Sequence, residues 1–260
     1  FSLPGVAARA MTALVRYNNI RSREVVQPTT FSDVNQELGK DIISKAKQAG
    51  RNTLSATEVY EILTAYKIPV ANWRIAGNAK EAEKAASEIG FPVVVKADSS
   101  TIIHKSDMGG VAVNLLDGDA VKSVVTEMEQ KLAADDLKFF VQKHMPEGQE
   151  VILGAKAEEG LGHLIMFGMG GIYVEVLKDV VFDITPVSAS EAQDMISSIK
   201  MAPLLEGVRG KKGVDQKALA ELIQRLSQLV TDLADIKEMD LNPVIAYEDS
   251  VFAVDARISI

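Results

Sequence analysis

The chain has 260 residues, 47% hydrophobic and 25% charged, a composition that belongs to a folded globular protein and excludes a disordered one. Its formal net charge of -8 argues against a nucleic-acid footprint, which needs a clustered Lys/Arg surface. Cysteine is absent, so disulfides, thiolate catalysis and cysteine-ligated zinc are all excluded. No apolar run approaches the roughly 18 residues of a membrane span, and Phe1-Ser2-Leu3-Pro4 lacks a signal pattern, so a cytoplasmic protein with no membrane partner is expected. The first residue is Phe rather than Met, which reads as a processed chain or a piece of a longer one.

Val6, Met11, Leu14 and Val15 at helical spacing predict a helix over 4–22, and an extended linker through Val25–Thr30 leads to a second helix over 32–48. The compact domain is expected to begin near 51. Ser55-Ala56-Thr57-Glu58 is a capping box that opens a helix through Tyr66, and Asn78 caps another that Gly90 closes. Strands are predicted at 91–97, 110–116, 138–145, 149–157, 163–168, near 172–177 and at 180–186, with a helix over 118–133. Ser188-Ala189-Ser190-Glu191 opens a helix to about 200, a long helix spans 214–234, and strands at 237–246 and 251–258 close the chain. Adjacent strands joined by short turns and mixed with helices indicate an α+β fold.

His104 follows the valine strand ending in Lys96 and precedes Lys105-Ser106-Asp107-Met108-Gly109-Gly110. An imidazole beside a lysine, a hydroxyl and paired glycines is a place where a phosphoryl group can be cradled and accepted. A lone His in a polar loop also reads as an ordinary surface residue. If the last two strands turn about Glu248-Asp249, Asn242 faces Asp255 and Asp240 faces Arg257 across the hairpin, with Leu241, Phe252 and Val254 on an apolar opposite face. Two carboxylates and an amide oxygen on one face suit Mg²⁺, while the same residues read equally well as a solvated hairpin with a cross-strand ion pair. The segment Gln142-Lys143-His144-Met145 before Pro146 can offer its backbone to an adenine edge, with Glu150 beyond it for ribose hydroxyls. The turn Gly168-Met169-Gly170-Gly171 permits close approach of phosphate, though no helix follows as a dinucleotide fingerprint requires. Glu175, Lys178 and Asp179 stand as polar residues among valines, and His144 and His163 carry no supporting constellation.

Taken together, Val95-Lys96, Ile103-His104-Lys105-Ser106-Asp107-Met108-Gly109-Gly110, Gly168-Met169-Gly170-Gly171, Leu204-Leu205-Glu206-Gly207 and Asp240-Leu241-Asn242-Pro243 resemble the ATP-grasp part of the ADP-forming acyl-CoA synthetases, which are related to succinyl-CoA synthetase. The resemblance runs from about 51 to the end. It implies an ATP-grasp fold of two lobes with ATP or ADP between them, an ATP-grasp domain over 51–260, and residues 1–50 as N-terminal helices and linker trailing a CoA-ligase part. It further implies that Lys96, Lys105, Ser106, Gly170 and Gly171 meet phosphates, that Gln142, Lys143, His144 and Met145 frame the adenine, and that Glu150 meets the sugar. Asn242 and Asp255, with Asp240 beside them, would hold Mg²⁺. His104 would be the second phosphohistidine of a relay that begins in a CoA-binding domain or subunit, which handles the small carboxylic acid and CoA; an oligomer is expected. Asp183 departs from the basic residue expected at its place. The rival functions are another ATP-grasp carboxylate ligase, which would not need His104, and a nucleotide-sensing domain fused to an acyltransferase.

Overall fold

The structure is a computed structural model describing residues 4–22, 27–99, 109–132, 134, 136–171, 178–208, 210 and 212–260. Its elements in order are α1 (Pro4–Ser22), α2 (Gln36–Gln48), α3 (Ala56–Ala65), β1 (Trp73–Ala76), α4 (Ala79–Ile89), β2 (Val93–Asp98), β3 (Val111–Leu115), α5 (Gly118–Leu132), β4 (Lys138–Lys143), β5 (Gln149–Glu158), β6 (Gly162–Met169), β7 (Val180–Ile184), α6 (Ala189–Ser198), α7 (Ala202–Glu206), α8 (Gln216–Asp232), β8 (Glu238–Ala246), β9 (Val251–Ala253) and β10 (Ala256–Ser259). The strands form two antiparallel sheets. One has four strands in the order β1-β4-β2-β3; the other has six, β10-β8-β5-β6-β7 with β9 paired to β8. The α+β class and the two lobes read from the sequence are both present.

Period-two alternation decides which side chains reach each core. In β2, Val93, Val95 and Ala97 point into a small core with Ala82, Ala86, Val121 and Val125 of α4 and α5, while Val94 and Lys96 point the other way. The large core lies between the six-stranded sheet and helices α2, α3, α6 and α8. In α3, Val59, Tyr60, Ile62 and Leu63 form its buried stripe, and both halves of the Ser55/Glu58 capping box are made. The second capping box, Ser188/Glu191, opens α6. Ile42, Ile43 and Ala46 of α2 enter the same large core.

Several boundaries differ from expectation. The helix expected over 32–48 starts at Gln36, capped by Asn35. Residues just before it are held on α8: Gln228 Oε1 accepts from Phe31 N at 2.8 Å, and Arg225 pairs with Asp33 and lies 4.0 Å over the Phe31 ring. Strand β1 was not foreseen, because four residues are too few to declare a period and their pairing comes from distant β4. The strand expected over 251–258 is broken into β9 and β10 at Val254-Asp255. The strand expected near 172–177 lies outside the described residues. Among the described residues, no helix is long and apolar enough to cross a membrane.

Candidate nucleotide site

A cleft of about 850 Å³ opens between the sheets. The small sheet contributes Val94, Lys96, Val111, Val113 and Gln142; the β4–β5 connection contributes His144, Met145 and Gly148; the large sheet contributes Glu150, with Gly170 and Gly171 just after β6 and Val254 and Asp255 between β9 and β10. One connection therefore crosses from lobe to lobe along the cleft edge. It is tied down by His144 N donating to Pro92 O at 3.1 Å and by the Tyr247 hydroxyl donating to Pro146 O at 2.7 Å. Gly148 is required here, since a Cβ would stand 2.5 Å from Ile245 and 2.8 Å from Tyr247.

At the other end, Lys96 Nζ donates to Asp255 Oδ1 at 2.8 Å and to Val254 O at 3.0 Å. A half-buried cation against a carboxylate at the junction of two sheets can neutralise phosphate oxygens. Gly170 lets the chain leaving β6 run close to β5: its N–H donates to Glu150 O at 2.9 Å, and a Cβ there would meet the Glu150 Cβ at 3.0 Å and its backbone at 3.1–3.2 Å.

The hairpin pairs in the expected register, with Arg257 opposite Asp240 and Asn242 N donating to Asp255 O at 3.0 Å. The expected faces need correction. Val151 pairs with Val244 but Leu153 with Leu241, so two residues of β8, Asn242 and Pro243, oppose one of β5. This bulge turns the buried face from Met239 and Leu241 to Val244 and Ala246. Leu241 is thus core, whereas Phe252 packs edge-on against Tyr247 and Val254 lines the cleft. The one-residue step, invisible in sequence periodicity, carries Pro243 to the cleft wall beside Val254 and Asp255, while Asn242, already opposite in parity to Leu241, is exposed and is not among the residues lining the cleft.

Not every expected site residue joins the cleft. Lys143 Nζ turns away and donates to Gly90 O at 2.9 Å and Phe91 O at 2.7 Å, fixing the α4–β2 corner. Asp240 lines an adjoining depression of about 500 Å³ with Lys156, Glu238 and Arg257. Burial pushes the Asp240 carboxyl above its ordinary value against the lowering pull of Arg257, with Asp255 and Glu238 adding to the rise. His104, Lys105, Ser106 and Glu175 lie outside the described residues, but the flanking strands β2 and β3 carry Lys96 and Val111 into the cleft. Asp179 is buried and accepts from Lys200 N and Met201 N at 2.8 Å each, a role in the fold. His163 is buried with Nε2 2.7 Å from Ile236 O, as expected of a structural His. Asp183 lies on β7 opposite Ile165 and accepts from Ile184 N.

Sequence reasoning missed Tyr60, whose position on an amphipathic stripe reads only as core. Its hydroxyl donates to Val254 O at 2.6 Å and accepts from Gln142 Nε2 at 3.0 Å. Burial, and secondarily the Asp255 charge, push its pKa far above the ordinary tyrosine value, against the lowering effect of the Gln142 bond, so the proton stays on the oxygen. Among the described residues, Gln142 Oε1 is buried without a hydrogen-bond partner, and Gln142 lines the cleft.

Comparison with known proteins accords with this geometry. An ATP-grasp domain family matches residues 45–260. The chain is 45% identical over 93% of its length to the 4-hydroxybutyrate–CoA ligase (ADP-forming) of Nitrosopumilus maritimus and spans about a third of that enzyme, 35%. It is 43% identical over 84% of its length to the beta subunit of acetate–CoA ligase (ADP-forming) I of Pyrococcus furiosus, covering 96% of that subunit. Among solved structures, acetyl-coenzyme A synthetase 1 of Candidatus Korarchaeum cryptofilum, in complex with coenzyme A and Mg-AMPPCP, superposes with a TM-score of 0.77 at 39% identity, covering 85% of this chain and 99% of that one. The chain belongs to the ATP-grasp family of the ADP-forming acyl-CoA synthetases.

Proposed function

We propose that this chain is the nucleotide-binding part of an ADP-forming acyl-CoA synthetase, moving a phosphoryl group between ATP or ADP and a histidine relay. The observation that carries the reading is Lys96 seated on Asp255 and the Val254 carbonyl in a cleft walled by both sheets. The base would lie along Gln142, His144 and Met145, the sugar at Glu150, and the phosphates between Lys96 and the Gly170-Gly171 turn. Phosphoryl transfer relies on such positioning and charge neutralisation far more than on covalent work by the protein.

Asn242 and Asp255 would hold Mg²⁺. Both are hard oxygen donors, Asn242 on β8 and Asp255 in the break between β9 and β10, and the donor set fits a cation that keeps waters and shares substrate phosphates. When bound, Mg²⁺ would supply charge stabilisation on the phosphate oxygens. Asp240, in the adjoining depression, would stand beside this pair rather than in it.

His104 is the proposed acceptor. Its unprotonated ring nitrogen attacks the γ-phosphorus, a P–N bond forms as the bond to the ADP oxygen breaks, and ADP leaves. The Korarchaeum enzyme is described with a phosphohistidine segment pointing towards its nucleotide binding site, which supports a relay here. A CoA-binding domain or subunit, handling CoA and a small carboxylic acid, would be the phosphoryl donor in the opposite direction, in a cytoplasmic oligomer. The ATP-grasp domain, expected over 51–260, also takes in α2, whose Ile42, Ile43 and Ala46 enter the large core, and the residues before it would lead to that partner.

Intact-mass measurement after incubation with Mg-ATP tests the reading. An acid-labile phosphoryl adduct that is lost in His104→Ala is the expected result; no adduct at saturating nucleotide would count against the relay.

A further inference from the structure

At the junction of Lys96, Val254 and Asp255 one further group, the Tyr60 hydroxyl, has no role in the proposed function. Lys96 has two anchors, the Asp255 carboxylate at 2.8 Å and the Val254 carbonyl at 3.0 Å. If Asp255 turns to a metal ion, the carbonyl is the anchor that remains. That carbonyl also accepts from the Tyr60 hydroxyl, 2.6 Å away.

We propose that Tyr60 is a positioning residue for the phosphate end of the nucleotide site, aiming the Lys96 ammonium through the Val254 carbonyl. The proposal rests on the nucleotide-binding reading and adds to it a residue on α3 that touches neither phosphate nor metal. Tyr60 is suited to the task because its ring cannot drift. It is buried, tilted against Phe140 at 4.6 Å and edge-on to Trp73 at 5.8 Å, and those two rings stack at 5.2 Å. The oxygen has one proton and two neighbours. Val254 O takes the proton, so the Gln142 amide must present its Nε2 as donor, and the three groups form a fixed chain from β4 through α3 to the β9–β10 break. The adenine-framing strand and the phosphate lysine are thereby tied to one hydroxyl.

Tyr60→Phe keeps the ring and removes only the oxygen. Two measurements on this variant and the wild type test the proposal. Calorimetric titration with Mg-ATP should show a dissociation constant raised roughly fivefold, the equivalent of one lost hydrogen bond of about 1 kcal/mol. Amine labelling in the absence of nucleotide, quantified by peptide mass spectrometry, should show Lys96 modified severalfold faster. Lys143, held by the Gly90 and Phe91 carbonyls, serves as the internal control and should not change. Emission from Trp73, the single tryptophan, reports whether the ring cluster is intact. Unchanged labelling of Lys96, an equal rise at Lys143, or selective labelling with unaltered Mg-ATP affinity would each overturn the assignment. Failure of the wild type to bind Mg-ATP would instead overturn the nucleotide reading, and the labelling would still judge whether Tyr60 aims Lys96.

Discussion

Lys96 and Lys143 are both lysines on cleft-edge strands of the same sheet, and from sequence both were assigned to the nucleotide. Three-dimensional placement separates them, since Lys143 is consumed by two backbone carbonyls while Lys96 faces the cleft. The consequence is a difference in phenotype. Lys96→Met removes a charge-assisted contact of about 1.5–3 kcal/mol, so the Mg-ATP dissociation constant should rise at least about tenfold by calorimetric titration. A comparable weakening in Lys143→Met, with its fold intact, would mean that the two lysines had been assigned the wrong way round. Lys96 was legible because a lysine at the end of a valine strand is out of place in a core, whereas the partners that hold Lys143 lie at Gly90 and Phe91 across the sheet.

At the scale of elements, α3 supports the site from beneath, and its start is the point most open to test. Glu58 closes the capping box with Ser55 and takes two bonds from the Arg51 guanidinium at 2.6 and 2.7 Å. Burial works to raise its pKa, but Arg51 and the Ser55 N–H outweigh it and hold the carboxyl below the ordinary value. A depressed folded-state value means that this stabilisation is in place above the usual carboxylate range and is lost as pH falls through the lowered pKa. Glu58→Ala should therefore cost about 1–2 kcal/mol at neutral pH by urea denaturation, with the deficit shrinking in acid. A deficit that stays constant down to acid pH would show that the cap, not the charge, dominates. The capping box itself was readable because its chemistry is local; the bulge at Asn242-Pro243 was not, because it is defined against β5, some ninety residues earlier.

Across the whole molecule, the N-terminal region divides into two unlike pieces. Met11, Leu14, Val15 and Tyr17 of α1 are exposed, whereas Phe31 and Asp33 are fastened to α8 through Arg225 and Gln228. Deleting residues 1–26 should leave the melting temperature within about 1 °C, because little apolar surface is given up. Arg225→Ala, which removes the cation over Phe31 and a bond to Tyr66 O, should lower it by about 2–4 °C. A large loss on deletion would mean that α1 contributes to the domain after all.

What the sequence by itself determined were the features written in local chemistry: capped helix starts, alternating strands and the hairpin register. Periodicity and capping depend on neighbours within a few residues, so they survive without coordinates. Only the tertiary structure decided which polar side chains meet. The bulge that switches the buried face of β8 to Val244 and Ala246, the Tyr60 hydroxyl under Val254, the diversion of Lys143 and the separation of Asp240 from the cleft all depend on strands and helices brought together from distant parts of the chain. A side chain's role in a site is set by its partners, and those partners are fixed by packing rather than by sequence spacing.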